Sequence, residues 1–123
     1  MINGINHVAL IVSKDENLDF YRKLGFRETS RTFRESKNDY LIMMENGDAV
    51  LEVFLRDDAP ARLCSPEAYG CRHIAFDVDN VDEILELLKD YRCEKIRTTD
   101  AGRRFVFITD ADDQPVEFLE KMQ

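Results

Sequence analysis

The sequence predicts an α+β fold made of two βαβββ modules in tandem, and three observations predict it. The chain's two histidines open matching apolar segments, His7-Val-Ala-Leu-Ile-Val and His73-Ile-Ala-Phe-Asp-Val. Each segment runs into a helix-start signal followed by apolar residues at helical spacing. Each copy closes on one glutamate set in an apolar strand, Glu52 lying 45 residues after His7 and Glu117 lying 44 residues after His73. With 66 residues between the histidines, the unit repeated is a half-domain rather than a solenoid turn.

The elements follow in order. Val8, Leu10 and Val12 alternate to one strand face and leave His7 on the other. Ser13-Lys-Asp-Glu16 has the form of a capping box, so a helix is expected to run to about Leu24 and to stop at Gly25. Leu18, Tyr21 and Leu24, with Phe20 beside them, supply its apolar side. Strands are expected over 26–33, 38–45 and 48–55, the last two joined by a hairpin at Asn46-Gly47. In the second copy Asp79 and Asn80 offer caps, with Glu83 three residues after Asn80. Val81, Ile84, Leu85, Leu88 and Tyr91 form the helix stripe, and strands are expected over 93–98, 103–109 and 115–120.

At 123 residues one compact domain is expected, with module one at about 1–57, a linker at about 58–70 and module two at about 71–123. A net charge of −8 argues against a nucleic-acid partner. No apolar run is long enough to span a membrane. The opening Met-Ile-Asn-Gly has no cationic or apolar signal core, and three cysteines at no zinc spacing read as reduced thiols, so a cytoplasmic protein is expected.

Strand alternation sets Glu52 opposite Leu51 and Val53, and Glu117 opposite Val116 and Phe118. His7, Glu52, His73 and Glu117 therefore belong to the faces that the helices leave open. One such residue near a strand end is ordinarily structural. Four at two repeated positions, in a chain with no other histidine, point to a divalent-metal shell with open positions for water or substrate. Asp110-Ala-Asp-Asp113 lacks the glycine and the distant glutamate of a calcium loop and reads as a hairpin connection. Among Arg56, Arg62, Arg72, Arg103 and Arg104, the first two are the candidates for gripping a substrate anion, Arg62 ahead of Arg56. Arg72 alternates away from His73 and suits a structural pair.

These motifs resemble the vicinal oxygen chelate superfamily, which includes glyoxalase I, methylmalonyl-CoA epimerase, extradiol dioxygenases and the fosfomycin and bleomycin resistance proteins. The resemblance rests on His7-Val-Ala-Leu-Ile-Val, Phe20-Tyr21 with Leu24-Gly25-Phe26, Leu51-Glu52-Val-Phe, Arg72-His73-Ile-Ala-Phe-Asp-Val and Val116-Glu117-Phe. Pro60-Ala-Arg62, Ser65-Pro66-Glu67-Ala68 and Gly70-Cys-Arg72 are similar to a bacterial glyoxalase-like branch. It implies curved sheets around a metal site, with His7, Glu52, His73 and Glu117 as ligands of one nickel, cobalt, zinc, manganese or iron ion. It implies a lyase or isomerase of lactoylglutathione lyase type, working through an enediolate on a small substrate with two neighbouring oxygens. Glu117 is then the first candidate for the base and Glu52 the second, and a homodimer is expected. Glutathione-using relatives often carry arginine four residues after the first histidine, where this chain has Ile11, so another thiol or no thiol is expected. Relatives also include dioxygenases, antibiotic-modifying transferases and metal-free binding proteins, which stand as the alternative functions.

Overall fold

The computed structural model describes residues 1–122, which fall into two compact units, the first Met1–Pro60 and the second beginning at Ala61. In the first unit, β1 (Val8–Val12), a single 3-10 turn (Asp15–Leu18), α1 (Asp19–Lys23), β2 (Arg27–Arg34), β3 (Asp39–Asn46) and β4 (Ala49–Leu55) follow in sequence. The sheet order is β1-β4-β3-β2, with β1 parallel to β4 and the other pairs antiparallel. Alternation decides which residues go inside. Val12, Ile42, Met44, Leu51 and Val53 are buried beneath Leu18, Phe20 and Tyr21, whose rings meet edge to face at 5.0 Å.

The first helix is shorter than the spacing predicts. Asp15, Asn17 and Asp19 are weak helix formers, and so short a segment has little helical stability of its own. The packing of three fully buried side chains therefore sets its winding, a 3-10 turn and then five α residues. Its stop is as expected. Gly25, at φ 100°, donates to the Arg22 carbonyl while Phe26 donates to that of Tyr21, the pattern of a Schellman cap. The hairpin loop is displaced by one residue: Asn46 pairs with Ala49, and the loop is Gly47-Asp48 with Gly47 at φ 58°. A two-residue loop with one positive φ places its glycine first.

The second unit repeats the plan with β5 (Ile74–Val78), α2 (Val81–Leu87), β6 (Arg92–Cys93), β7 (Arg97–Thr98), β8 (Arg104–Thr109) and β9 (Pro115–Glu120). The order is β5-β9-β8-β6, β7 also pairing with β8, and β5 lies parallel to β9. Asn80 caps α2 as its position predicts, accepting from the backbone N–H groups of Asp82 and Glu83 at 2.8 and 3.2 Å. Glu120 accepts from the N–H of Val81 at 3.0 Å. The helix ends at Leu87, before the expected Tyr91, which is reached through a turn. Val81, Leu88, Val106, Ile108, Val116 and Phe118 form this unit's core.

The strand expected over 93–98 is divided. Cys93 pairs with Ile108 and Arg97 with Phe105, so one extra residue is accommodated between them as a bulge. The first unit has the equivalent irregularity, where Glu28 pairs with Met44 and Ser30 with Met43. Both outer strands thus bend at matching points, and each sheet is open and curved. No helix among the described residues is long and apolar enough to cross a membrane.

Candidate metal centre

His7 directly precedes β1, and Glu52 sits on β4 opposite Ala9. Since His7 and Ala9 share a face, the imidazole and the carboxylate project to the same side, with Nε2 3.7 Å from Oε1. The second unit repeats this: His73 directly precedes β5, Glu117 lies opposite Ala75, and His73 Nε2 is 3.1 Å from Glu117 Oε1. Ala9 and Ala75 add only a methyl beside each glutamate, and both pairs stay partly exposed. Neither alanine carries a chemical signal, and only the register reveals its place.

Two donors ~2.1 Å from a shared ion, at the ~90–110° angles of octahedral or tetrahedral shells, stand ~3.0–3.4 Å apart. The His73–Glu117 separation falls in that range and the His7–Glu52 separation lies slightly beyond it. Asn6 Oδ1 accepts from His7 Nδ1 at 2.8 Å, which leaves the Nε2 lone pair facing Glu52, the tautomer a ligand needs. In the second pair the Arg72 guanidinium is 3.5 Å from His73 Nδ1, and His73 Nε2 donates to Glu117. A cation there would take the place of that proton. Phe107 packs edge to face on the His73 ring at 4.8 Å and limits its rotation. The donor set fits a divalent transition metal, two donors to a unit. Among the described residues, no group of three or more His, Cys, Asp and Glu side chains gathers into a metal-binding cluster.

The bulges lie beside these pairs. Glu52 pairs across the sheet with Met43, and Thr29 Oγ1 donates to the Met43 carbonyl at 3.4 Å. Glu117 pairs with Phe107, and the Glu94 N–H donates to the Phe107 carbonyl at 2.9 Å. The same strand defect is thus repeated one strand away from each glutamate, where bulges commonly aim side chains.

Arg56 directly follows β4, two residues after Phe54 and four after Glu52. Its Nε and Nη2 hold Asp58 at 2.6 and 3.1 Å, and its Nη1 is 3.8 Å from Asp39. Asp39 is a buried carboxylate gripped at 2.7 Å through both oxygens by Arg34, whose guanidinium lies 4.6 Å above the Phe54 ring. Sequence reasoning missed Arg34 and Asp39, because only the β2–β3 hairpin brings them together. The Arg34 hydrogen bonds hold the Asp39 carboxyl below the usual carboxylate range, with Arg56 adding to the effect. Asp39 therefore stabilises the fold fully above the unfolded value of about 3.9, and the contribution is lost as pH falls through its lower folded value. Urea midpoints measured between pH 6 and pH 2 should fall less steeply for Asp39→Asn than for the wild type. Parallel acid limbs would contradict this.

Arg62 sits elsewhere, in the loop ahead of β5. Its Nη2 donates to the carbonyl of Arg72 at 2.7 Å, next to His73, and its buried Nε has no partner. It lines a cavity of about 210 Å³ with Glu67, Ala68, Tyr69, Gly70 and Arg72. Arg72 forms the structural pair expected of it, Nε to Glu67 Oε1 at 2.8 Å. Asp110 accepts from the N–H groups of Asp112 and Gln114 at 2.9 Å, an Asx turn that accounts for the hairpin connection.

Residues 4–118 match the model of the Glyoxalase/Bleomycin resistance protein/Dioxygenase superfamily. The chain belongs to this superfamily. The chain is similar to the uncharacterized protein YwkD of Bacillus subtilis, 38% identical over 98% of this chain and 99% of YwkD. The crystal structure of a glyoxalase family protein from Enterococcus faecalis superposes with a TM-score of 0.88 at 34% identity, covering 97% of this chain and 98% of that one. The superfamily fold is shared with the fosfomycin resistance protein FosX of Listeria monocytogenes, seen with Mn(II) and 1S,2S-dihydroxypropylphosphonic acid. That likeness has a TM-score of 0.76 at 20% identity over 99% of this chain and 95% of that one, and it concerns the fold alone.

Proposed function

We propose that the chain is a divalent-metal-dependent lyase or isomerase of glyoxalase I type, acting through an enediolate on a small substrate with two neighbouring oxygens. His7, Glu52, His73 and Glu117 hold one nickel, cobalt, zinc, manganese or iron ion. The observation that carries the reading is the duplicated pair, His Nε2 facing Glu Oε1 on the uncovered face of each unit. Each unit supplies two donors, so a four-donor shell joins a first-unit pair to a second-unit pair, from one chain or from two in a homodimer. FosX, of the same fold, is found with Mn(II). The three free thiols suit the reducing cytoplasm.

The bound cation supplies Lewis acidity toward the two substrate oxygens. Glu117 takes a proton from the carbon beside a carbonyl and returns it to the neighbouring carbon. It is favoured over Glu52 because its side chain is less exposed, 16% against 25%, and so better shielded from bulk water. Arg56 reaches the substrate once an anionic group displaces the exposed Asp58, and Arg62 contributes from the loop ahead of β5. Ile11 lies on the His7 face and is 58% exposed, where it offers a glutathione carboxylate no partner. The substrate is accordingly not a glutathione adduct.

Metal-loaded protein assayed on methylglyoxal with a panel of thiols tests both parts. Metal uptake with poor glutathione turnover is expected. Efficient turnover with glutathione would refute the thiol claim. Absence of metal uptake, with His7→Ala and His73→Ala leaving ligand binding intact, would favour a binding protein and overturn the enzyme reading.

A further inference from the structure

The face of the second unit's sheet that carries His73 and Glu117 also carries an arginine of unusual setting. Arg97 is paired across β7 and β8 with Phe105, so the two side chains share a side. Phe107 lies two residues on along β8 and is paired across to Glu117. The Arg97 guanidinium stands 5.0 Å from the Phe105 ring centre and 5.6 Å from that of Phe107, and Phe107 packs on His73. A continuous row therefore runs Arg97, Phe105, Phe107, then His73 with Glu117.

Of the other arginines on or beside this unit's strands, Arg92 reaches Asp113 at 3.9 Å with both side chains exposed, whereas Arg103 and Arg104 are more closely engaged. Arg103 bonds Asp77 and the Glu120 carbonyl at 2.8 Å, and Arg104 reaches Glu120 at 3.3 Å and Asp82 at 3.1 Å. Among the described residues, Arg97 has an ion pair with Glu94 at 3.5 Å, exposed on both sides and therefore worth little. The guanidinium lies within cation–π distance of both rings, which stand at 83° to each other, and its fork of N–H groups suits a bidentate oxyanion. On a chain of net charge −8, a cation seated on this face favours an anion there.

We infer that Arg97 is a specificity-determining residue that binds an oxyanion of the substrate, a carboxylate or a phosphate, one aromatic ring away from the metal-ligating pair. The substrate class is then a small molecule with two neighbouring oxygens at one end and a negative group at the other. This rests on the metal reading above for the site of the neighbouring oxygens, but not for the anion grip.

Hydroxamates provide matched probes, since each presents the same two neighbouring oxygens. Dissociation constants of Mn(II)-loaded protein are measured for glycolohydroxamate, phosphoglycolohydroxamate and malonomonohydroxamate, with wild type, Arg97→Gln and Arg97→Lys. Wild type should bind at least one anionic probe about ten-fold or more tightly than the neutral one, as a charge-assisted fork predicts. Which anion is preferred identifies the group. Arg97→Gln should abolish the preference and leave glycolohydroxamate affinity unchanged, a split that a merely structural role would not produce, and Arg97→Lys should retain part of it. Equal binding of all three probes by wild type, or a preference that survives Arg97→Gln, would overturn the anion grip and leave the metal reading standing. If the protein takes up no metal, that reading fails separately. The grip is then decided by titrating inorganic phosphate and following the Arg97 Nε–H resonance, whose movement supports it and whose constancy overturns it.

Discussion

Replacing His73 with alanine is expected to weaken Mn(II) or Ni(II) binding by on the order of a hundred-fold or more, since even groups that only orient a ligand cost ten- to a hundred-fold. His73 stands one residue before β5, outside the hydrophobic alternation of Ile74, Phe76 and Val78, so its removal takes no side chain from the core. It does remove the ring on Phe107 and the partner of Glu117, which together should cost about 1 kcal/mol at a partly buried site. Metal affinity, measured by calorimetry, and stability, measured by urea unfolding, should therefore separate. Glu117→Gln should lose metal affinity in the same way, since an amide is a poorer ligand for a divalent ion. A mixture of His7→Ala and Glu117→Ala chains extends the test. If sites are shared across a dimer, about a quarter of the metal sites should regain full affinity on mixing equal amounts, and if each site lies within one chain none should. Unchanged affinity in His73→Ala would remove the basis of the metal reading.

The sequence revealed these candidate side chains because strand alternation needs only two faces of unlike environment. In Val-Leu-Glu-Val-Phe and Val-Glu-Phe-Leu a carboxylate interrupts apolar residues, and that interruption is visible without any structure. Duplication made it visible twice. The same logic placed the strands, the cap at Asn80 and the stop at Gly25, whose roles depend on a few neighbouring residues. The first helix was legible only in part. Over Asp15–Lys23 local preference is weak, and the burial of Leu18, Phe20 and Tyr21 outweighs it.

Long-range pairing concealed the rest. The two bulges come from one extra residue in each outer strand, and nothing in 27–34 or 92–98 distinguishes the extra residue from its neighbours. Arg97 could be assigned a face only once the bulge had set its parity, because a one-residue shift reverses every side chain after it. Arg34 and Asp39 lie five residues apart, a spacing with no meaning in an unplaced loop and a direct one across a hairpin. Arg56 was legible as a cation near a strand end, but its engagement by Asp58 was not. Residues read by type and alternation were accessible from sequence, whereas those defined by a partner across the sheet were not.

One position along β9 the expectation reverses. Phe118→Ala should lower the free energy of unfolding by about 3–5 kcal/mol, the usual cost of deleting a buried aromatic ring. Phe118 is 1% exposed, and its ring centre lies 6.1 Å from that of Phe76 on β5. Because β9 is hydrogen-bonded to β5 on one side and β8 on the other, the surrounding backbone has little freedom to close the gap. Val106, Ile108 and Val116 would then line a cavity rather than refill it. Against a total stability of roughly 5–15 kcal/mol for a domain, that is a large fraction. The comparison with Glu117→Gln is the sharp part of the test, since the two residues are adjacent in sequence and opposed in space. Urea unfolding of both variants should show a large loss for Phe118→Ala and about 1 kcal/mol or less for Glu117→Gln. The reverse order would mean that the buried face had been misassigned, and with it the face on which His73, Glu117 and Arg97 are placed. A loss below about 1 kcal/mol for Phe118→Ala would show that the core of this unit does not depend on its central strand.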